Sequence, residues 1–122
     1  MIHKILIVDD SPVARKMLKS CLPKDRELDI YEASNGEEGI EIFKKVTPDL
    51  TFLDLTMPVL DGYKTIPLLK QLDSDVVIIV LTADVQPKSI SQVLSLGAFT
   101  LLKKPATSQS IQDALKQAEI KI

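Results

Sequence analysis

The chain alternates between short apolar runs and longer stretches with helical spacing. Three runs rich in aliphatic and β-branched residues stand out, at Ile5–Val8, Leu50–Leu53 and Val76–Leu81. Two weaker runs lie at Asp29–Glu32 and Thr100–Lys103. Continuous apolar strands are typical of parallel sheets that are covered on both faces. The pattern therefore predicts five strands in a sheet of this kind.

The stretches between these runs carry apolar residues three and four positions apart, the spacing of one helix face. The predicted faces comprise Met17, Leu18, Cys21 and Leu22; Ile40, Phe43 and Val46; Ile90, Val93, Leu94 and Gly97; and Ile111, Ala114, Leu115 and Ala118. The remaining segment, Tyr63–Leu72, fits less well, because Pro67 is expected to kink or delay a helix there.

Capping residues agree with these helices. Ser11 followed by Pro12 is typical of an N-cap and the first helical position. Ser34 with Glu37 is a possible capping box for the second helix. Gly97 is placed where it can end the fourth helix.

Five repeats of a strand followed by a helix predict an α/β domain with three layers, in which five helices cover both faces of a parallel sheet. Right-handed crossovers leave few strand orders, and we expect the flavodoxin-like order 2-1-3-4-5. A chain of 122 residues is long enough for one domain with its own core. Residues 1–122 are therefore expected to form a single domain.

Polar residues follow four of the five predicted strands. Asp9 and Asp10 end the first strand, Asp54 the third, Thr82 the fourth and Lys104 the fifth. Ligands of such sheets bind beyond the carboxyl ends of the strands, near the switch in strand order. Because the first and third strands flank that switch, the acidic residues are expected to share one cleft.

Three carboxylates in one cleft repel each other, and a hard divalent cation relieves the repulsion. Mg²⁺ prefers such oxygen ligands, whereas the histidine and cysteine clusters that favour zinc are missing from the sequence. A carboxylate beside the metal can act as a nucleophile and accept a phosphoryl group. Lys104 would add positive charge, and Thr82 a hydroxyl donor. The sequence thus predicts a magnesium site for phosphoryl transfer.

Simpler interpretations exist for the acidic residues. Asp9 and Asp10 could cap the first helix, but Ser11 already fills that position. Asp54 could cap the third helix, yet Asp61 is closer and better placed for that role. The joint pattern, rather than any one residue, carries the prediction.

Overall composition limits the kinds of partner and the location that we expect. The chain has 15 basic and 17 acidic residues, a formal net charge of -2, so charge gives no reason to expect nucleic acid or anionic membrane binding. No apolar run approaches the roughly 20 residues of a membrane span. Cys21 has no partner for an internal disulfide, and the N-terminus lacks a signal-peptide pattern. A cytoplasmic location is expected.

The acidic pair Asp9-Asp10, together with "FLDLTMPVLDG" around Asp54, "VLTAD" with Thr82 and "LLKKP" with Lys104, resembles the receiver domain of two-component response regulators. The resemblance extends over essentially the whole chain and is strongest to the single-domain, CheY-like members.

The resemblance implies a role for each of these residues. Asp54 would be phosphorylated, and Thr82 and Lys104 would assist. Magnesium would be bound by Asp9, Asp10, Asp54 and the backbone carbonyl of Thr56, with Asp10 as a direct ligand. The peptide bond between Lys104 and Pro105 is expected to be cis.

Three positions depart from the family's pattern or modify it. Leu101 stands where the family often has a tyrosine or phenylalanine that moves on activation. Thr56 and Asp84, each two residues beyond a motif residue, are expected to tune the lifetime of the phosphoryl group. The output surface of this chain is therefore expected to respond without an aromatic ring at position 101.

The function implied is a phosphorylation-dependent signalling switch in a two-component phosphorelay, and not a classical enzyme. A histidine kinase or a histidine phosphotransfer protein would donate the phosphoryl group, and an unidentified protein would read the result. A pseudo-receiver that docks proteins without being phosphorylated is the main alternative. A phosphatase of the haloacid dehalogenase type is disfavoured, because it would need an acidic residue at position 56, which is Thr56. A flavin carrier is disfavoured, because it would need a glycine-rich loop after the first strand.

Overall fold

The structure is a computed structural model that describes residues 2–121. Its elements follow in strict alternation: β1 (Lys4–Val8), α1 (Pro12–Cys21), β2 (Asp29–Ala33), α2 (Gly36–Val46), β3 (Leu50–Asp54), α3 (Gly62–Leu72), β4 (Val77–Thr82), α4 (Pro87–Leu96), β5 (Thr100–Lys103) and α5 (Ser108–Lys121). The five strands are parallel and lie in the order β2-β1-β3-β4-β5. The predicted fold class and strand order are confirmed.

Alternating side chains of the strands build a separate core on each face of the sheet. On one face, Phe52 and Ile79 pack with residues of α1 and α5, which form the α1–α5 layer. On the other, Leu53 and Val80 pack with Phe43 and further residues of α2, α3 and α4, the α2–α3–α4 layer. Because successive strand residues point to opposite faces, these continuous apolar strands fill both cores. In the described part of the chain, no helix is long and apolar enough to span a bilayer.

The start of α1 is as predicted, and the start of α2 is not. Ser11 Oγ accepts a hydrogen bond from the Ala14 amide at 3.1 Å, and Pro12 is the first helical residue. In α2 the N-cap is Asn35, whose Oδ1 accepts from the Glu38 amide at 2.9 Å. The N-cap is thus displaced by one residue from the predicted Ser34, because asparagine caps as well as serine and stands closer to the helix.

The third helix forms without the expected delay. Asp61 Oδ1 accepts from the Lys64 amide at 3.0 Å, and α3 then continues through Pro67 to Leu72. Gly62 opens the helix where a Cβ atom would lie only 2.6 Å from the backbone oxygen of Asp54. Asp61 as the cap is therefore confirmed. The missing amide of Pro67 removes one intrahelical hydrogen bond, which packing of the helix compensates.

The end of α4 is as predicted. Gly97 has φ 116° and ends α4, a left-handed conformation that glycine adopts without strain. Ala98 and Phe99 then lead into β5.

Thr51 offers a test of the core. Its side chain is fully buried in the central strand, between Leu6 and Ile78 of the neighbouring strands, and its hydroxyl has no hydrogen-bond partner within residues 2–121. Because valine has the same shape without the hydroxyl, Thr51→Val is expected to raise the free energy of unfolding by about 1 kcal/mol. Chemical denaturation measures this.

Thr65 provides the matched control. It is equally buried, but its hydroxyl donates to the Asp61 carbonyl at 2.7 Å. Thr65→Val is therefore expected to lower the free energy of unfolding by about 1 kcal/mol. Destabilisation by both substitutions would show that the Thr51 hydroxyl makes a useful interaction.

Candidate functional site

Three carboxylates meet at the carboxyl edge of the sheet. Asp54 is the last residue of β3, and Asp9 and Asp10 directly follow β1. Asp9 and Asp54 are buried, whereas Asp10 is exposed. One oxygen from each of the three side chains lies within 4.8 Å of the others. The predicted acidic cleft therefore exists in the fold, and its donors are the hard oxygens that suit Mg²⁺.

Lys104 reaches this cleft from the edge of the sheet. Its ammonium nitrogen lies 2.8 Å from Asp9 Oδ2 and 3.3 Å from Asp54 Oδ1. Its amide donates to the Thr82 carbonyl at 2.8 Å, which ties the end of β5 to the end of β4. The Lys104–Pro105 peptide bond is cis, as expected. Lys103 is exposed, so the structure selects Lys104 for the cleft.

Thr82 ends β4 and is buried. Its hydroxyl oxygen accepts a hydrogen bond from the Asp84 amide at 3.1 Å. A hydroxyl that accepts one hydrogen bond still has its own proton to donate. Thr82 can therefore serve as a donor to a group bound beside Asp54.

Asp84 has a structural role that the sequence did not indicate. Its carboxylate accepts from the Gln86 amide at 3.1 Å and from the Ser89 hydroxyl at 2.7 Å. These hydrogen bonds, that from Ser89 foremost, lower the pKa of Asp84. The β4–α4 loop is thus held to the first turn of α4 by the residue that follows Thr82 by two positions.

The family assignment follows from comparison of the sequence with protein-family models. Residues 5–116 match the model of the response regulator receiver domain. The chain belongs to the response regulator receiver domain family. Members of this family bind Mg²⁺ at an acidic pocket and act as regulators.

Individual relatives agree with the assignment. The chemotaxis protein CheY of Bacillus subtilis is 34% identical over 117 residues, which cover 96% of this chain and 98% of CheY. Sporulation initiation phosphotransferase F of the same organism is 34% identical over 117 residues, with 96% and 94% covered. This receiver domain is thus similar in length to single-domain relatives.

Solved structures share the fold closely. A chain of the CheX–CheY–BeF3–Mg²⁺ complex from Borrelia burgdorferi has a TM-score of 0.91 at 26% identity, with 96% of this chain and 89% of that chain covered. Vibrio cholerae CheY4 has a TM-score of 0.88 at 25% identity, with 97% and 99% covered. The receiver fold therefore extends over nearly all of the chain.

Charge in the cleft is not balanced by Lys104 alone. Burial, and next the charge of Asp9, raise the pKa of Asp54 above its ordinary value, although Lys104 and the Thr56 amide oppose this. Burial works to lower the pKa of Lys104, but the hydrogen bond to Asp9 and the charges of Asp54 and Asp9 outweigh it, so the pKa is raised. Lys104 is thus held as a cation, and further positive charge would favour ionised Asp54.

The segment after Asp54 turns back beside that residue. The Thr56 amide lies 3.4 Å from Asp54 Oδ1, and the Gly62 amide donates to the Leu55 carbonyl at 3.0 Å. Between them Val59 has φ 69° and is 74% exposed. A β-branched residue in the left-handed region is strained.

Arg15 contacts the backbone of the acidic pair, and sequence reasoning missed this contact. It lies on α1, and its Nη1 atom donates to the backbone carbonyl of Asp9 at 2.6 Å. An arginine on the helix directly after the acidic pair was the available signal. Its reach back to the end of β1 depends on the packing of α1, which spacing alone does not specify.

Val59 gives a prediction for this loop. Asparagine adopts the left-handed conformation more readily than valine. Because the side chain is exposed, Val59→Asn loses little burial and is expected to raise the free energy of unfolding by about 1 kcal/mol. Val13 is an exposed valine inside α1, and Val13→Asn is expected to leave stability nearly unchanged. An equal gain from both substitutions, measured by thermal denaturation, would contradict the assigned strain.

Proposed function

We propose that this receiver domain is a phosphorylation-dependent switch of a two-component phosphorelay, with Asp54 as the acceptor. The observation that carries the proposal is the setting of the Asp54 carboxylate. It is buried at the end of β3, lies 3.3 Å from the Lys104 ammonium and faces two further carboxylates. Residues 1–122 would act together as one such domain.

Magnesium fits the donors of the cleft. The carboxylates of Asp9, Asp10 and Asp54 and the Thr56 carbonyl would bind it, and the ion would supply positive charge that stabilises the transferring phosphoryl oxygens. Exposed Asp10 is the ligand most open to solvent, and Asp9 is engaged with Lys104. Within the acidic pair, Asp10 is therefore proposed as the member that contacts the metal directly.

Transfer then needs little from the protein beyond position and charge. An Asp54 carboxylate oxygen attacks phosphorus, and the phosphorus–nitrogen bond of a donor phosphohistidine breaks, returning its electron pair to the imidazole. The Lys104 ammonium is near enough to Asp54 to contact a phosphoryl oxygen. The donor would be a histidine kinase or a histidine phosphotransfer protein.

The phosphorylated aspartate adds negative charge and acceptor oxygens at the sheet edge. The Thr82 hydroxyl can donate to one of them, which would pull on the β4–α4 loop that Asp84 holds to α4. Leu101, on the neighbouring strand, packs against the α2–α3–α4 core. An aliphatic side chain there can shift but has no hydroxyl to satisfy. The loop is therefore expected to respond more than β5.

Two further aspects belong to the same proposal. A downstream protein would recognise the altered surface, as differential affinity for two states allows.

The single Cys21 fits a reducing compartment, so we place the domain in the cytoplasm. A pseudo-receiver that only docks proteins would not need the complete set of Asp54, Thr82 and Lys104, and we therefore favour the switch.

The acceptor can be tested directly. With a small-molecule phosphodonor and Mg²⁺, the wild-type domain is expected to gain one phosphoryl group that hydroxylamine removes, because an aspartyl phosphate is an acyl phosphate. Asp54→Asn is expected to gain none. Asp61→Asn is the control, since asparagine also caps α3. Intact-protein mass spectrometry that found equal labelling in the wild type and Asp54→Asn would refute the assignment.

The metal ligands make a separate prediction. Asp10→Asn is expected to weaken Mg²⁺ binding by more than roughly tenfold, because it removes a charged ligand. Loss of a residue that only orients a ligand typically costs about tenfold. Asp9→Asn is expected to weaken binding less. Asp25→Asn removes an exposed carboxylate that is not part of the acidic cluster and controls for net charge. Calorimetric titrations with unchanged affinity in both Asp9 and Asp10 variants would exclude this magnesium site.

A further inference from the structure

Arg15 connects the acidic pair to the neighbouring strand. Its side chain is 16% exposed. Nη1 donates to the Asp9 carbonyl at 2.6 Å, and Nε donates to Glu32 Oε1 at 3.0 Å. The contacted carbonyl belongs to the peptide unit that joins Asp9 to Asp10. Arg15 therefore fixes the backbone between the two acidic residues.

We propose that Arg15 is a positioning residue for the metal site. By holding the Asp9 carbonyl, it sets the orientation of the peptide unit that carries Asp10, and so the place of the Asp10 carboxylate. This inference rests on the metal-binding role proposed above for the acidic pair.

The backbone matters here because the Asp10 side chain has little packing to hold it. Asp10 is exposed, whereas Asp9 is buried and tied to its surroundings. The Asp9 amide donates to the Ala33 carbonyl at 3.0 Å, and Asp9 Oδ1 accepts from the Ser11 amide at 2.9 Å. Together with these two contacts, the hydrogen bond from Arg15 fixes the backbone of Asp9, to which Asp10 is joined.

Glu32 in turn fixes Arg15. Its second oxygen accepts from the Lys19 ammonium at 2.8 Å, so the carboxylate is held between two cations of α1. A guanidinium is a rigid planar fork, and contacts in two directions restrict its orientation more than a single contact does. Glu32 thereby determines where the Nη1 atom points.

Charge and position predict opposite effects for the removal of Arg15. A cation near three carboxylates repels a divalent cation, so loss of its charge alone would strengthen Mg²⁺ binding. Loss of the hydrogen bond to Asp9 would weaken binding, because outer-shell contacts orient the ligands. The sign of the change in Mg²⁺ affinity therefore distinguishes an effect of charge from an effect of position.

Arg26 is a matched control at the other end of β1. Its Nη2 atom donates to the Ile2 carbonyl at 2.9 Å, and its guanidinium pairs with Glu119. The chemistry is the same as at Arg15, with one backbone carbonyl and one glutamate, but Ile2 lies at the edge of the sheet opposite the acidic cluster. Substitution of Arg26 therefore shows how far a general loosening of the fold changes Mg²⁺ binding.

The experiment compares Mg²⁺ binding by calorimetry in the wild type, Arg15→Met and Arg26→Met. Arg15→Met is expected to weaken binding about tenfold, with binding by Arg26→Met unchanged and Arg15→Lys intermediate. In the metal-free protein, the carbonyl carbon resonance of Asp9 is expected to move in Arg15→Met and to stay in place in Arg26→Met.

Equal or tighter binding by Arg15→Met would overturn the inference, and so would equal weakening by Arg26→Met. If Arg15→Met does not fold, Arg15→Lys decides, because it keeps the positive charge and loses the planar fork: weaker binding supports positioning, and unchanged binding overturns it. Absence of Mg²⁺ binding in the wild type would instead refute the metal role in the proposed function, which distinguishes the two failures.

Discussion

The site depends on one positive charge held against two buried carboxylates. Asp9 and Asp54 are 5% and 7% exposed, and two such charges destabilise each other where water is largely excluded. The Lys104 ammonium contacts both. Its position comes from β5, whose pairing with β4 continues into the hydrogen bond from the Lys104 amide to the Thr82 carbonyl. The edge strand of the sheet therefore supplies the cation that opposes the rise in the pKa of Asp54.

The features that the sequence predicted correctly are those fixed by local pattern and topology. Continuous aliphatic runs occur where strands are buried on both faces, and the parallel order then brings Asp9, Asp54 and Lys104 to one edge. No detail of side-chain packing is needed for that result, because every strand in such a sheet ends on the same side.

The features that were missed depend on choices between near-equal alternatives or on contacts between elements. Ser34 and Asn35 are both good caps, and adjacent residues of similar preference cannot be ranked from sequence. Pro67 costs α3 one hydrogen bond, but the buried faces of Ile66 and Leu69 hold the helix together. The contact of Arg15 with Asp9 exists only because α1 packs back against the end of β1.

The alternation of side chains along the strands also separates the chemistry of the site. Asp54 follows Phe52 in the pleat and belongs to the face of the α1–α5 layer, whereas Thr82 follows Val80 and belongs to the face of the α2–α3–α4 layer. The pleat thus directs the side chains of Asp54 and Thr82 toward opposite faces of the sheet at the same carboxyl edge. In the proposed switch, a phosphoryl group on Asp54 that accepts a hydrogen bond from Thr82 would link the two faces at this edge. Under that proposal, the surface that receives the signal and the surface that passes it on can lie on different faces of one small domain.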